Sequence, residues 1–184
     1  MAVAKKLRAA QGFADLLRAQ VRNEFTAAQQ YLAVGVWFDG RDLPRLAAHF
    51  YRQALEERNH AMMMVRYLLD RGEHVTIPGV DEVRNEFDSA EELVSLALQQ
   101  EREVTEEINA LMAAARQESD YQAEQFVGWF LTEQVEEVAQ MTTLLNVVRR
   151  SNGNLFDVEN FIAREQVGDT GVDPTAPPAA GGVL

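Results

Sequence analysis

Four stretches of helical apolar periodicity, each about 28 residues long, follow one another with a short, a long and a short connection between them. Few folds accept that order. In the first stretch the period runs through Phe13, Leu16, Leu17, Val21, Phe25, Ala28 and Leu32 and ends near Asp39. The segment DGRDLPR (39–45) then signals a turn, with Asp42 as the expected N-cap and Pro44 in the next first turn. A second helix runs to Asp70, and Gly72 supplies the residue favoured just past a helix end. Residues 73–88, EHVTIPGVDEVRNEFD, hold Pro78-Gly79 and no clear period, which predicts an extended connection. Ser89 and Glu92 have capping-box spacing and open a third helix to about Glu118, where Ser119 and Gln122 repeat the signature. The fourth runs to about Arg150 and breaks at Ser-Asn-Gly (151–153).

At 1.5 Å per residue each long helix spans about 42 Å, and a 16-residue extended connection reaches about 53 Å. The long connection can therefore run the length of a bundle and leave the second and third helices parallel. The expected fold is all-α: a four-helix bundle with one long crossover. A short fifth helix over roughly 154–165 carries Leu155, Val158, Phe161 and Ile162 on one stripe. A closed bundle does not need that stripe, so it is expected at a subunit interface. Residues 1–165 form the expected domain, and 166–184, rich in Gly, Pro and Ala, a flexible tail.

Composition narrows the function. A net charge of −12 argues against nucleic acid as a partner, because phosphate binding needs a basic surface. No stretch approaches the roughly 18 apolar residues of a membrane span. The first residues, MAVAKKLRAAQGF, lack the apolar run of a secretory signal, and the chain has no cysteine. Together these features predict a cytoplasmic protein without disulfides or thiolate metal sites.

One spacing cannot be explained by propensity. Glu24 lies about as far before the first hairpin turn as Glu57 lies after it, and Glu101 and Gln134 flank the second turn in the same way. Both pairs are separated by 33 residues, so antiparallel packing sets all four side chains at one level. Each half adds a residue three positions on, His60 and Glu137, on the same helix face as its neighbour. The plain alternative is a solvated acidic face, since the chain has 29 carboxylates. If the cluster faces inward, desolvation and like-charge repulsion demand a cation. Carboxylates with one imidazole and no sulfur suit iron or manganese.

The general pattern of dimetal carboxylate bundles is a Glu from each of two helices plus Glu-x-x-His from the other two. This chain supplies Glu24, Glu57-x-x-His60 and Glu101, but its fourth helix reads Glu133-Gln134-Val135-Glu136-Glu137. It thereby resembles the bacterial non-haem ferritins, which have a single Glu-x-x-His and an EQxEE run. NEFTAAQQY, EERNHAMMM, WFLTEQVEEV and NLFDVENFIARE look especially like actinobacterial ferritins, and the similarity covers roughly residues 7–165.

The resemblance implies an iron-storage subunit with ferroxidase activity, which oxidises Fe(II) with oxygen or peroxide and assembles into a homo-24-mer. It implies that Glu24, Glu57 and His60 hold one iron, and that Glu57 bridges to a second held by Glu101 with Gln134 nearby. Tyr31 matches the tyrosine beside the ferroxidase centre. Glu56, Glu133, Glu136 and Glu137 match carboxylates for a possible third iron, and Glu124 an acidic three-fold pore position. No haem is expected, because Arg58 stands where bacterioferritins carry their haem methionine. Met62, Met63 and Met64 point three ways round a helix and read as core. His49 and His74 read as ordinary surface or half-buried histidines, and Trp37 and Trp129 as packing anchors. Three rival readings are a manganese or mixed-metal bundle oxidase, a purely structural bundle, and cargo of a protein nanocompartment docked through residues 166–184.

Overall fold

The computed structural model describes residues 12–165 and 173–183. Its elements, among those residues, are five helices: α1 (Phe13–Asp39), α2 (Pro44–Asp70), α3 (Ala90–Gln117), α4 (Tyr121–Arg150) and α5 (Leu155–Glu165). Residues 71–89 form the crossover, and their contacts trace its path. Arg18 meets Glu73 and the His74 carbonyl; Arg22 and Thr26 meet Asp81. Gln30 exchanges two hydrogen bonds with the Arg84 backbone, and the Trp37 indole donates to the Phe87 carbonyl. The crossover thus climbs α1 from its first turns to its last. It delivers the chain to the end where α2 began, so α2 and α3 run parallel. That is the four-helix bundle with one long crossover expected from the connection lengths.

Two start signals sit one residue later than their sequence suggests. Asp42 is not the cap of α2, and Ser119 is not the cap of α4; both take left-handed backbone, with φ of 56° and 57°. Each occupies the turn just past the preceding helix. Asp120 caps α4 instead, its side chain accepting from Ala123 N–H at 3.0 Å. Ser89 caps α3 as expected, accepting from Glu92 N–H at 3.1 Å. The start of α2 has no local cap, and a carboxylate from α5 serves it. Glu159 accepts from Leu46 N–H at 2.7 Å and from Arg45 N–H at 3.1 Å, where negative charge meets the positive end of the helix dipole.

That contact fixes α5, and the position overturns the expectation for its stripe. Val158 and Ile162 are buried in the subunit's own core, and Leu155 and Phe161 pack against the same cluster. The stripe closes one end of the bundle, because the α1–α2 and α3–α4 hairpins leave that end uncovered. His49 is also more deeply placed than its sequence suggests: it is buried, with its ring edge-on to Phe50. The part of the tail that is described, residues 173–183, lies on the bundle. The Ala180 N–H donates to the Met62 carbonyl at 3.0 Å, and Ala176, Ala179 and Ala180 pack on core residues. Small apolar residues let that segment sit flat on the helices, a match that composition does not reveal.

The core is split in two. One apolar cluster, around Phe38, Phe50, Leu93 and Leu144, fills the end that α5 closes. The other, around Leu17, Met64, Leu68, Ile108 and Phe130, fills the opposite end and takes in Met63. Between them the helices bury a layer of polar side chains.

Candidate metal centre

Each functional residue in that layer is flanked along its own helix by buried apolar neighbours. Glu24 follows Val21 and precedes Ala28, Glu57 lies between Ala54 and Ala61, and Glu101 lies between Leu98 and Val104. The apolar period carries them inward, so their burial is a consequence of helical register. Glu24, Glu57, His60, Glu101, Gln134 and Glu137 are all buried. Ligand atoms of Glu24, Glu57 and His60 lie within 4.8 Å of one another. His60 Nδ1 is 3.2 Å from Glu57 Oε2.

The second half of the layer faces this trio. Glu101 accepts a short hydrogen bond from the Tyr31 hydroxyl. Gln134 Oε1 accepts from Thr105 Oγ1 at 3.0 Å, so its amide is oriented from α3. Glu137 lies one turn on from Gln134, with Gln53 Nε2 3.5 Å away, and Gln53 also donates to Glu56. Glu133 is half-buried and Glu136 exposed, so the carboxylates of α4 grade from the layer to the surface. Glu124 lies apart, paired with Arg116 at 3.1 Å.

The electrostatics are those of a site built for cations. Burial pushes the Glu24 carboxyl well above the usual range, and neighbouring Glu57 adds to this. Glu57 is raised by burial and by Glu101, and Glu137 by burial, Glu101, Glu56 and Glu133. Glu101 is pushed up to about 7, chiefly by burial, although the Tyr31 hydrogen bond opposes this. Tyr31 itself is held in its neutral form by burial and by Glu101. Both Glu24 and Glu57 are thus disfavoured as anions by burial so long as no cation stands between them. One oxygen each of Glu24, Glu101 and Glu137 is buried with no donor facing it among the described residues. Such atoms are costly unless a cation meets them.

Sequence reasoning missed the residues that orient this layer. Gln20 donates to Glu24 at 2.9 Å, Gln53 donates to Glu137, and the single Thr105 hydroxyl proton is shared between the Glu101 carbonyl, at 2.8 Å, and Gln134 Oε1. Gln20 and Gln53 stand four residues before Glu24 and Glu57, and Thr105 four after Glu101, so the helical repeat pointed to all three. Trp129 is more than a packing anchor. Its ring meets His60 edge-to-face at 5.7 Å, and its indole donates to Asp173 at 2.8 Å. Nothing local in the sequence links those two residues.

Comparison with known proteins bears on the same region. The family model for a ferritin-like domain matches residues 14–151. The chain is 59% identical over 172 residues to ferritin BfrB of Mycolicibacterium smegmatis, covering 94% of each. It is 37% identical over 136 residues to the bacterial non-heme ferritin of Staphylococcus aureus, covering 74% of this chain and 82% of that one. A crystal structure of an open-pore ferritin from Archaeoglobus fulgidus superposes with a TM-score of 0.80 at 27% identity, covering 85% of this chain and 97% of that one.

Proposed function

The chain belongs to the ferritin family of iron-storage proteins, and from that premise we propose that it oxidises Fe(II) at a dimetal centre within each subunit. The observation that carries this reading is the buried Glu24–Glu57–His60 trio, whose ligand atoms converge within 4.8 Å and face Glu101 across the core. Two carboxylates and an imidazole suit Fe(II) as a substrate ion, and the absence of cysteine leaves no thiolate competitor. Iron is here the substrate and cargo.

The first Fe(II) is held by Glu24, Glu57 and His60. It takes both carboxylates in their ionised form, which burial disfavours until a cation arrives. Glu57, which faces both Glu24 and Glu101, bridges to a second Fe(II) held by Glu101 with Gln134 beside it. Two Fe(II) ions give up one electron each, which supplies the pair that dioxygen or peroxide accepts. Tyr31 keeps its proton and orients Glu101 through the hydroxyl hydrogen bond. The buried layer also keeps the two apolar clusters on either side of the reacting ions, which limits water.

The two ends of this centre are unequal. The fourth helix offers neutral Gln134 where the second offers Glu57, and no histidine stands at 137. The second iron is therefore held by less charge and leaves more easily. Glu137, Glu133, Glu56 and exposed Glu136 form a graded path of negative charge for Fe(III), and hold a third iron in transit. Storage follows from assembly of the subunits into a hollow 24-subunit shell in the cytoplasm, where the Fe(III) mineralises; among the described residues no helix is long and apolar enough to cross a membrane. The test is aerobic addition of Fe(II) to the purified protein, with ferric absorbance and size-exclusion mass followed together. A shell that gains ferric iron supports the reading. A 20.7 kDa monomer, or a shell without oxidation above that of buffer, overturns it.

A further inference from the structure

Residues 173–183 lie across α2 and α4 beside the acidic layer. With those helices they line a half-open pocket of about 460 Å³ whose wall includes His60, Glu56, Glu133, Trp129 and Asp173. At its edge Asp173 Oδ2 accepts the Trp129 indole N–H at 2.8 Å. Asp173 is itself set in place: its Oδ1 accepts from the Thr175 amide at 2.8 Å and the Thr175 hydroxyl at 2.7 Å. These bonds, the indole first, hold its carboxyl below the usual range, so it is ionised at neutral pH.

The other face of the indole contact is a metal ligand. Trp129 stands edge-to-face on His60 with ring planes at 72°, and Phe130 flanks the same imidazole at 78°. The His60 ring is therefore oriented by its Glu57 hydrogen bond and by two aromatic rings. An imidazole binds metal well only when its ring is held in the ligating orientation, and partners beyond the ligands supply that constraint. We propose that Asp173 is a positioning residue for metal binding: by gripping the Trp129 indole it keeps that ring against His60, and so ties the C-terminal segment to a ligand some hundred residues away in sequence. This rests on the metal-site reading above.

Cobalt(II), which keeps its oxidation state and absorbs visibly when ligated, is the probe. It is titrated into the metal-free, full-length protein, into Asp173→Ala, Trp129→Phe and their double variant, and into the Glu57→Ala/His60→Ala variant. Asp173→Ala raises the half-saturating cobalt concentration about fivefold, below the 10- to 100-fold range for partners bonded directly to ligands. Trp129→Phe, which removes the N–H, has a similar effect, and the double variant is no worse than either single one. In a Trp37→Phe background, where Trp129 alone emits, Asp173→Ala also shifts the emission and opens it to acrylamide quenching without any metal. An unchanged cobalt midpoint in Asp173→Ala, or losses that add in the double variant, overturns the proposal and leaves the site intact. A parent spectrum that Glu57→Ala/His60→Ala reproduces overturns the site and the proposal together.

Discussion

Replacing Glu101 by Gln makes the metal-free protein more stable at neutral pH while it weakens metal binding. Burial raises the Glu101 carboxyl from 4.5 to about 7, so the folded chain holds a proton that the unfolded chain has already released. Between those values the folded state binds more protons than the unfolded state, and stability therefore falls as pH rises. The loss begins near the unfolded value and is complete above about 7. At about 1.36 kcal/mol per pH unit, this group costs ~3 kcal/mol per subunit at pH 8, where it is ionised, and ~1 kcal/mol at pH 5.5, where the folded chain holds its proton. Glu101→Gln removes that charge, and its amide oxygen still accepts from Tyr31. Its NH₂ needs a partner in the layer, which reduces the net gain at pH 8 to roughly 1–3 kcal/mol. Denaturant unfolding of chelator-treated protein, at one subunit concentration and at both pH values, measures this. The parent loses about 2 kcal/mol per subunit from this group between the two, and the variant's profile is flatter. Cobalt then reverses the order, because it stabilises the parent by binding the folded state. A variant less stable than the parent at pH 8 without metal, or equally steep in pH, refutes the claim that this carboxylate is strained for function.

Other substitutions test the fold and the asymmetry of the centre. Glu159→Ala removes the acceptor of two N–H groups at the start of α2 and costs about 2 kcal/mol, read as a lower denaturation midpoint and faster hydrogen exchange at Leu46; unchanged exchange there removes α5 from its capping role. Gly35→Ala places a Cβ 2.5 Å from the Tyr51 ring, so the ~1 kcal/mol helix gain is outweighed and the protein loses about 1–2 kcal/mol, whereas Gly128→Ala meets nothing within 4 Å and is neutral or stabilising. Equal effects at the two glycines would mean that α1 and α2 do not approach as described. Gln134→Glu adds charge at the second iron, so the first oxidation burst persists while repeated Fe(II) additions turn over more slowly; equal turnover on the second addition defeats the weak-second-site account.

Helical period and connection length made the bundle readable, because each long helix buries an apolar stripe and only one connection can span the length. The level of Glu24, Glu57, Glu101 and Gln134 was readable for the same reason: two antiparallel hairpins with equal spacing must align them. Helix starts were less so. Asp42 and Ser119 have cap chemistry, yet each falls where the preceding helix turns left-handed, and the caps move on by one residue or to another element. The partners that complete the fold come from far away in sequence. Glu159 caps α2 from more than a hundred residues on, and Asp173 reaches Trp129 across the fold. Neither contact leaves a local pattern, since a single carboxylate in a short helix or a Pro-rich tail reads equally well as solvated. The stripe on α5 shows the same limit: its amphipathicity was plain, but which surface it covers depends on how the two hairpins close.

The most direct measurement is the initial rate of ferric absorbance in stopped flow, with about two Fe(II) per subunit, for the parent and the Glu57→Ala/His60→Ala variant. Removing clustered charge from a bundle core leaves the assembly intact, so size exclusion gives the same mass for both. A dimetal centre at these residues predicts a fast burst in the parent and its loss in the variant. An unchanged burst in an assembled variant would place the oxidation elsewhere and contradict the assignment.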